Sequence, residues 1–166
     1  MKNIKKFIFI TLVMMFSVIL TGCKYVEGTS QIAIRIGMNS SDKFSETLSS
    51  VPIGEKSSVA IITNLQSNKQ KKIVCKIVVT MEKSDIIDYE KDYTTGCIEN
   101  SINISDDKKT IEYQAEVNKN TSTIPIKLQF NFTPFETGTS TINVKVYDHN
   151  GELVYSACAE KVLTFE

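Results

Sequence analysis

The stretch Ile126-Lys127-Leu128-Gln129-Phe130-Asn131-Phe132 alternates apolar and polar residues without a break. Successive side chains of a β-strand point to opposite faces. This period of two therefore predicts a strand with Ile126, Leu128, Phe130 and Phe132 on a core face and Lys127, Gln129 and Asn131 toward water. The pattern recurs in both directions. Upstream, Ile32, Ile34 and Ile36 share a parity, as do Val59, Ile61, Thr63 and Leu65. Ile73, Cys75, Ile77, Val79 and Met81 stand opposite Lys72, Lys76 and Thr80. Ile102 and Ile104 lead to Ile111, Tyr113, Ala115 and Val117, which alternate with Glu112, Gln114 and Glu116. Downstream, Ile142, Val144 and Val146 alternate with Asn143 and Lys145, and Leu153, Tyr155, Ala157, Leu163 and Phe165 close the chain. No segment after Cys23 holds a helical period over three turns.

Turn-forming clusters separate these runs: Asn39-Ser40-Ser41-Asp42, Ser67-Asn68, Ser105-Asp106-Asp107, Glu136-Thr137-Gly138 and Asn150-Gly151. Asn-Gly tolerates the positive φ angles of a type I′ turn, which predicts a hairpin joining 139–147 to 152–157. About eight or nine short strands cannot bury their apolar faces in one flat sheet, so two antiparallel sheets packed face to face are expected, an all-β sandwich. The runs Leu128-Gln-Phe130-Asn-Phe132, Gly138-Thr-Ser-Thr-Ile142-Asn-Val144 and Asp148-His-Asn-Gly151-Glu-Leu153-Val154 resemble the Ig-like sandwiches of bacterial surface proteins. The similarity is looser to the cohesin and carbohydrate-binding families. It implies an Ig-like fold and names no ligand.

The chain has 166 residues, with nineteen Lys plus Arg against nineteen Asp plus Glu. Zero formal charge excludes a strongly basic nucleic-acid binder and an acidic solvating tail. Apolar residues at 42% and charged residues at 23% indicate a globular chain. The first six residues, Met-Lys-Asn-Ile-Lys-Lys, are basic, and residues 7–20 are apolar apart from Thr11 and Ser17. That run is too short for a permanent bilayer span, which needs roughly twenty residues, and it fits a helical secretory signal. It ends in Leu20-Thr21-Gly22-Cys23, which resembles the lipobox of bacterial lipoproteins. The resemblance implies a diacylglyceryl thioether on Cys23 and cleavage between Gly22 and Cys23. The expected organisation is a lipoprotein signal peptide at 1–22, a lipidated tether at 23–30 and the sandwich at 31–166. The expected localisation is the extracytoplasmic face of a cell membrane, held by acyl chains, because two or more chains anchor stably where one does not. Seven extended tether residues reach at most about 25 Å, which keeps the domain close to the headgroups.

Candidate site residues are sparse. Cys75, Cys97 and Cys158 can supply one disulfide in an exported protein, with all three pairings open, and none has zinc or redox spacing. His149 falls in the Asp148-His149-Asn150-Gly151 turn, without a Gly-x-Ser-x-Gly elbow to make it part of a hydrolase. Asp85, Asp88, Glu90 and Asp92 crowd one stretch and have the oxygen chemistry of a Ca²⁺ site, yet lack Asp-x-Asp-x-Asp-Gly spacing and are read as a solvated connection between sheets. Sugar binding favours aromatic platforms; there is no Trp, and Tyr89, Tyr93, Tyr147 and Tyr155 are the weak candidates. Asn39, Asn103, Asn120 and Asn131 match the glycosylation acceptor pattern. The expectation is a non-catalytic surface lipoprotein with no cofactor and no metal, binding membrane lipid through Cys23 and a protein or envelope component through the sandwich. A small envelope accessory enzyme or inhibitor is the rival reading, and a carbohydrate-binding module the third.

Overall fold

A computed structural model describes residues 32–38, 48–65, 72–118, 125–154 and 157–166. The signal segment, Cys23 and the tether lie outside the described residues, as do Asn39, Asn120 and Tyr155. The period-two runs become β1 (Ile32–Met38), β3 (Ser57–Thr63), β4 (Ile73–Met81), β7 (Thr110–Val117), β8 (Ile126–Pro134), β9 (Gly138–Tyr147) and β10 (Ala159–Phe165). Two-residue strands β2 (Ser50–Val51) and β6 (Asn103–Ile104) and the six-residue β5 (Ser84–Tyr89) complete the set among the described residues.

These strands form a four-stranded sheet in the order β1-β3-β8-β5 and a six-stranded sheet in the order β2-β10-β9-β4-β7-β6. All pairings are antiparallel except β10 with β2. The chain is thus an all-β, two-sheet Ig-like sandwich. Its core is the set of residues that the alternation assigned inward: Val59 and Ile61 on β3, Cys75, Ile77 and Val79 on β4, Ile111, Tyr113 and Ala115 on β7, and Leu128, Phe130 and Phe132 on β8, all fully buried. Phe132 and Phe165 meet across the sheets with ring centroids 6.2 Å apart. Each such side chain contributes roughly 1.5–3 kcal/mol of transfer free energy, so parity decides the fold.

Between β5 and β6 the chain changes sheets. Thr95 bridges to Lys127 of β8 and Cys97 bridges to Ala115 of β7, with Gly96 between them at φ 74°. A Cβ at Gly96 would stand 3.2 Å from the Ile126 Cα, so both the left-handed backbone and the close approach require glycine.

The structure departs from the sequence expectations at three places. The stretch expected as a solvated connection contains β5, an edge strand with a β-bulge between Ile86 and Asp88. Gln129 and Asn131, assigned to water, are fully buried together with Ser58 and Ala60 beside them, so the two central strands of the smaller sheet are covered on both faces. The hairpin after β9 is short. A backbone bond of 3.0 Å from Gly151 N–H to Asp148 carbonyl closes the turn, Gly151 has φ 80°, and Asn150 is not among the positive-φ residues. This is a three-residue loop with glycine in the left-handed position, where a type I′ turn would need Asn150 there as well. Strand pairing after it reduces to the Tyr147–Leu153 bridge, and the final strand begins only at Ala159.

Candidate functional site

The outward face of β4 carries Val74, Lys76 and Val78. Register sets Lys76 between Gln114 of β7 and Tyr147 of β9, and Val78 between Glu112 and Lys145. The turn of the β9 hairpin rises beside them. Together Val74, Val78, Gln114, Tyr147, His149 and Gly151 line a groove of about 570 Å³. Val74 is 39% exposed, which leaves apolar surface between polar walls. Lys76 Nζ lies 2.5 Å from Glu112 Oε2 across the groove floor, a pair exposed enough to contribute little to stability.

Asp148 holds the groove's upper wall. Only 8% exposed, its Oδ1 accepts from the backbone N–H groups of Asn150 at 2.8 Å and Glu152 at 3.0 Å. The turn is therefore capped by the first residue's own side chain, the device by which Asp commonly competes for local backbone donors. His149 places Nδ1 3.9 Å from Asp148 Oδ2. Tyr147 and Lys76 line the same groove, and none of the described residues that line it is serine or cysteine.

The three cysteines are brought to different places and stand as free thiols. Cys75 and Cys97 lie opposite Ala115 on its two flanks. Two interstrand steps separate their backbones by on the order of 10 Å, beyond the reach of a disulfide. Burial, and secondarily the Asp148 charge, pushes the Cys75 thiol up to about 12, and burial pushes Cys97 up to about 11. In both the shift favours the protonated thiol over the thiolate. Cys158 donates to the Val154 carbonyl at 3.4 Å.

The acids of the β5 region separate as well. Asp85 pairs with Lys109 at 2.8 Å, and Asp92 lies exposed in the 3-10 turn Lys91–Tyr93. Asp88 and Glu90 converge instead on the amide of Asn131. Sequence reasoning missed Asn131 as a partner because it stands 41 residues and more away. Among the described residues no three His, Cys, Asp or Glu side chains gather as a metal site. Tyr89 and Tyr93 sit at the β5 edge, Tyr147 in the groove, and Asn103 is exposed on β6.

An Ig-like sandwich with a polar-walled groove on one outer sheet face is the class these features define. No protein-family model matches the sequence, and no curated protein matches it. Among solved structures the chain is similar to the C-terminal domain of the AgI/II polypeptide BspA of Streptococcus agalactiae, at 8% identity over 81% of this chain and 49% of that one, with a TM-score of 0.52. It is also similar to the major pilin subunit BcpA of Bacillus cereus, at 14% identity over 82% of this chain and 40% of that one, TM-score 0.49. A non-cellulosomal cohesin from Archaeoglobus fulgidus gives 11% identity over 82% of this chain and 91% of that one, TM-score 0.47. At 8% identity the streptococcal likeness is one of fold.

Proposed function

We propose that this protein is a membrane-anchored surface lipoprotein whose sandwich binds a protein partner through the groove on the β4-β7-β9 face. The observation that carries the reading is the groove itself. Exposed Val74 lies between a Lys76–Glu112 pair and a hairpin wall braced by buried Asp148. An apolar strip bounded by charges is the anatomy of a small protein interface, in which the centre contributes affinity and the rim contributes specificity. The anchor rests on the lipobox sequence Leu20-Thr21-Gly22-Cys23 with its basic start and short apolar run. The non-catalytic reading is supported by how two of the charged groups in the groove are engaged, Lys76 with Glu112 and Asp148 with the backbone of its own turn.

The test is capture from native envelopes with the lipidated protein, comparing the natural chain with Val78→Glu. A charge at that position leaves the core untouched and abolishes recovery of a partner held at the groove. Equal recovery by both proteins rejects the groove as the interface. In parallel, Cys23→Ala moves the protein from the membrane to the soluble fraction, and unchanged partitioning rejects the anchor.

A further inference from the structure

The bulge in β5 has a consequence on the outer face of the four-stranded sheet. Ile86 pairs with Phe132, but the next pairs are Asp88 with Asn131 and Tyr89 with Phe130, so Ile87 is the extra residue. Parity alone would have turned Asp88 to the same side as buried Ile86. The bulge turns it outward, which is the usual effect of such an insertion. The Glu90 N–H then bonds to the Gln129 carbonyl at 2.8 Å, which continues the ladder by one pair. Asp88 and Glu90 on one strand thus face Asn131 and Gln129 on the next. The four Cβ atoms mark a rectangle about 5 Å across the strands and about 7 Å along them.

Each corner carries a side-chain oxygen. Asn131 Nδ2 donates to Asp88 Oδ1 at 2.6 Å and to Glu90 Oε1 at 2.5 Å, which draws both carboxylates inward over the rectangle. Asn131 Oδ1 accepts from Ser58 Oγ at 2.6 Å. The fourth corner provides an independent observation. Gln129 is 0% exposed, shares the outward face with Asn131, and neither Oε1 nor Nε2 has a hydrogen-bond partner. A buried amide without partners costs about 1–3 kcal/mol. Lys56 Nζ lies 3.5 Å from Asp88 Oδ2 in a half-exposed pair, and Lys127 stands on the same face of β8 two residues from Gln129.

We propose that Asp88, Glu90, Asn131 and Gln129 form a binding site for a divalent cation of the calcium class. A half-turn of the Asn131 amide presents Oδ1 to the carboxylates and leaves Nδ2 to donate to Ser58 Oγ. Gln129 Oε1 supplies the fourth oxygen and so acquires the partner it lacks. Oxygen-only donors exclude the thiolate and imidazole metals, and a flexible four-cornered set with water completing six to eight ligands suits calcium better than the tight octahedron of magnesium.

The experiment is titration of the full lipidated chain in detergent micelles with terbium chloride, followed by competition with calcium chloride. Bound terbium is followed by direct excitation and emission lifetime, because Tyr89 pairs with Phe130 and so lies on the face opposite Asp88 and Glu90. The expected result is saturable terbium emission displaced by calcium, with a dissociation constant on the order of 10⁻⁴–10⁻³ M, as in extracellular calcium modules. Asp88→Asn with Glu90→Gln abolishes the signal, and Gln129→Leu, which removes only the neutral corner, weakens it. Circular dichroism shows that each variant is folded. A natural chain without saturable binding at millimolar calcium overturns the proposal, and so does binding unchanged in Glu90→Gln and Gln129→Leu.

Discussion

Asp148 shows how one side chain can shape a site without touching a ligand. Its carboxylate accepts two backbone N–H groups of the turn it begins. Asp148→Ala removes both bonds and is expected to lower unfolding free energy by about 1–2 kcal/mol, because the freed donors near the surface regain water. Asp148→Asn keeps one acceptor and recovers part of the loss; urea midpoints of the two variants make the comparison. The thiols give a second expectation at this scale. Cys75 is raised to about 12 and Cys97 to about 11 from an unfolded value of 9.0, and burial raises Tyr113 in the same direction. A folded-state value above the unfolded one means that the folded chain holds its proton more tightly. The stability this supplies is complete below pH 9 and is lost as pH rises through 11 to 12. Urea midpoints measured from pH 8 to 11 should fall less steeply in Cys97→Ala than in the natural chain.

Among the elements, β8 decides most of the architecture, because both of its neighbours register against the Ile126-Leu128-Phe130-Phe132 row. Phe130→Ala is expected to cost about 3–5 kcal/mol by urea denaturation, the range for deleting a buried aromatic ring. Val162→Ala on the outward face of β10, where Val162 is 58% exposed, should stay within about 0.5 kcal/mol. The inward rows of seven strands were legible in the sequence because a two-residue period leaves one choice of core face once one row is apolar. Three features were not. A bulge inserts a residue and inverts the parity after it, so the acidic stretch around Asp88 shows no unbroken alternation and reads as a solvated connection where the structure has β5. Two central strands are covered on both faces yet keep polar residues on one of them, and nothing local to Gln129 or Asn131 announces that cover. The hairpin turn depends on a side chain two and four residues from its backbone partners, so the Asn-Gly pair alone predicted the wrong turn. The candidate site inherits these limits: Lys76, Glu112 and Tyr147 come together only when the β7-β4-β9 register is known.

For the whole molecule, chain direction and the proposed anchor together dictate an orientation. β1 begins at Ile32, opposite Thr63 at the end of β3, which in turn pairs with Ile126 at the start of β8. β4 leaves from that same end, and its Lys76 pairs with Tyr147 just before the β9 hairpin. The groove and the hairpin therefore lie at the end of the sandwich where β1 begins. Glu55, before β3, and Glu136, between β8 and β9, lie at the other end, about 30 Å away along strands of nine or ten residues. Under the proposed anchoring, a tether of at most about 25 Å would hold the hairpin nearer the headgroups than Glu55. Under that anchoring a partner lying in or against the membrane would be favoured, since both proteins would share a thin layer and meet at high effective concentration. The orientation can be measured by energy transfer. Cys75 is fully buried, so in a background of Cys97→Ala with Cys158→Ala a donor dye can be placed selectively by Asn150→Cys or by Glu55→Cys. In vesicles carrying a headgroup-linked acceptor, transfer from position 150 should exceed transfer from position 55. Equal transfer would mean that the sandwich tumbles freely on its tether, and the reverse order would place the groove toward the aqueous side.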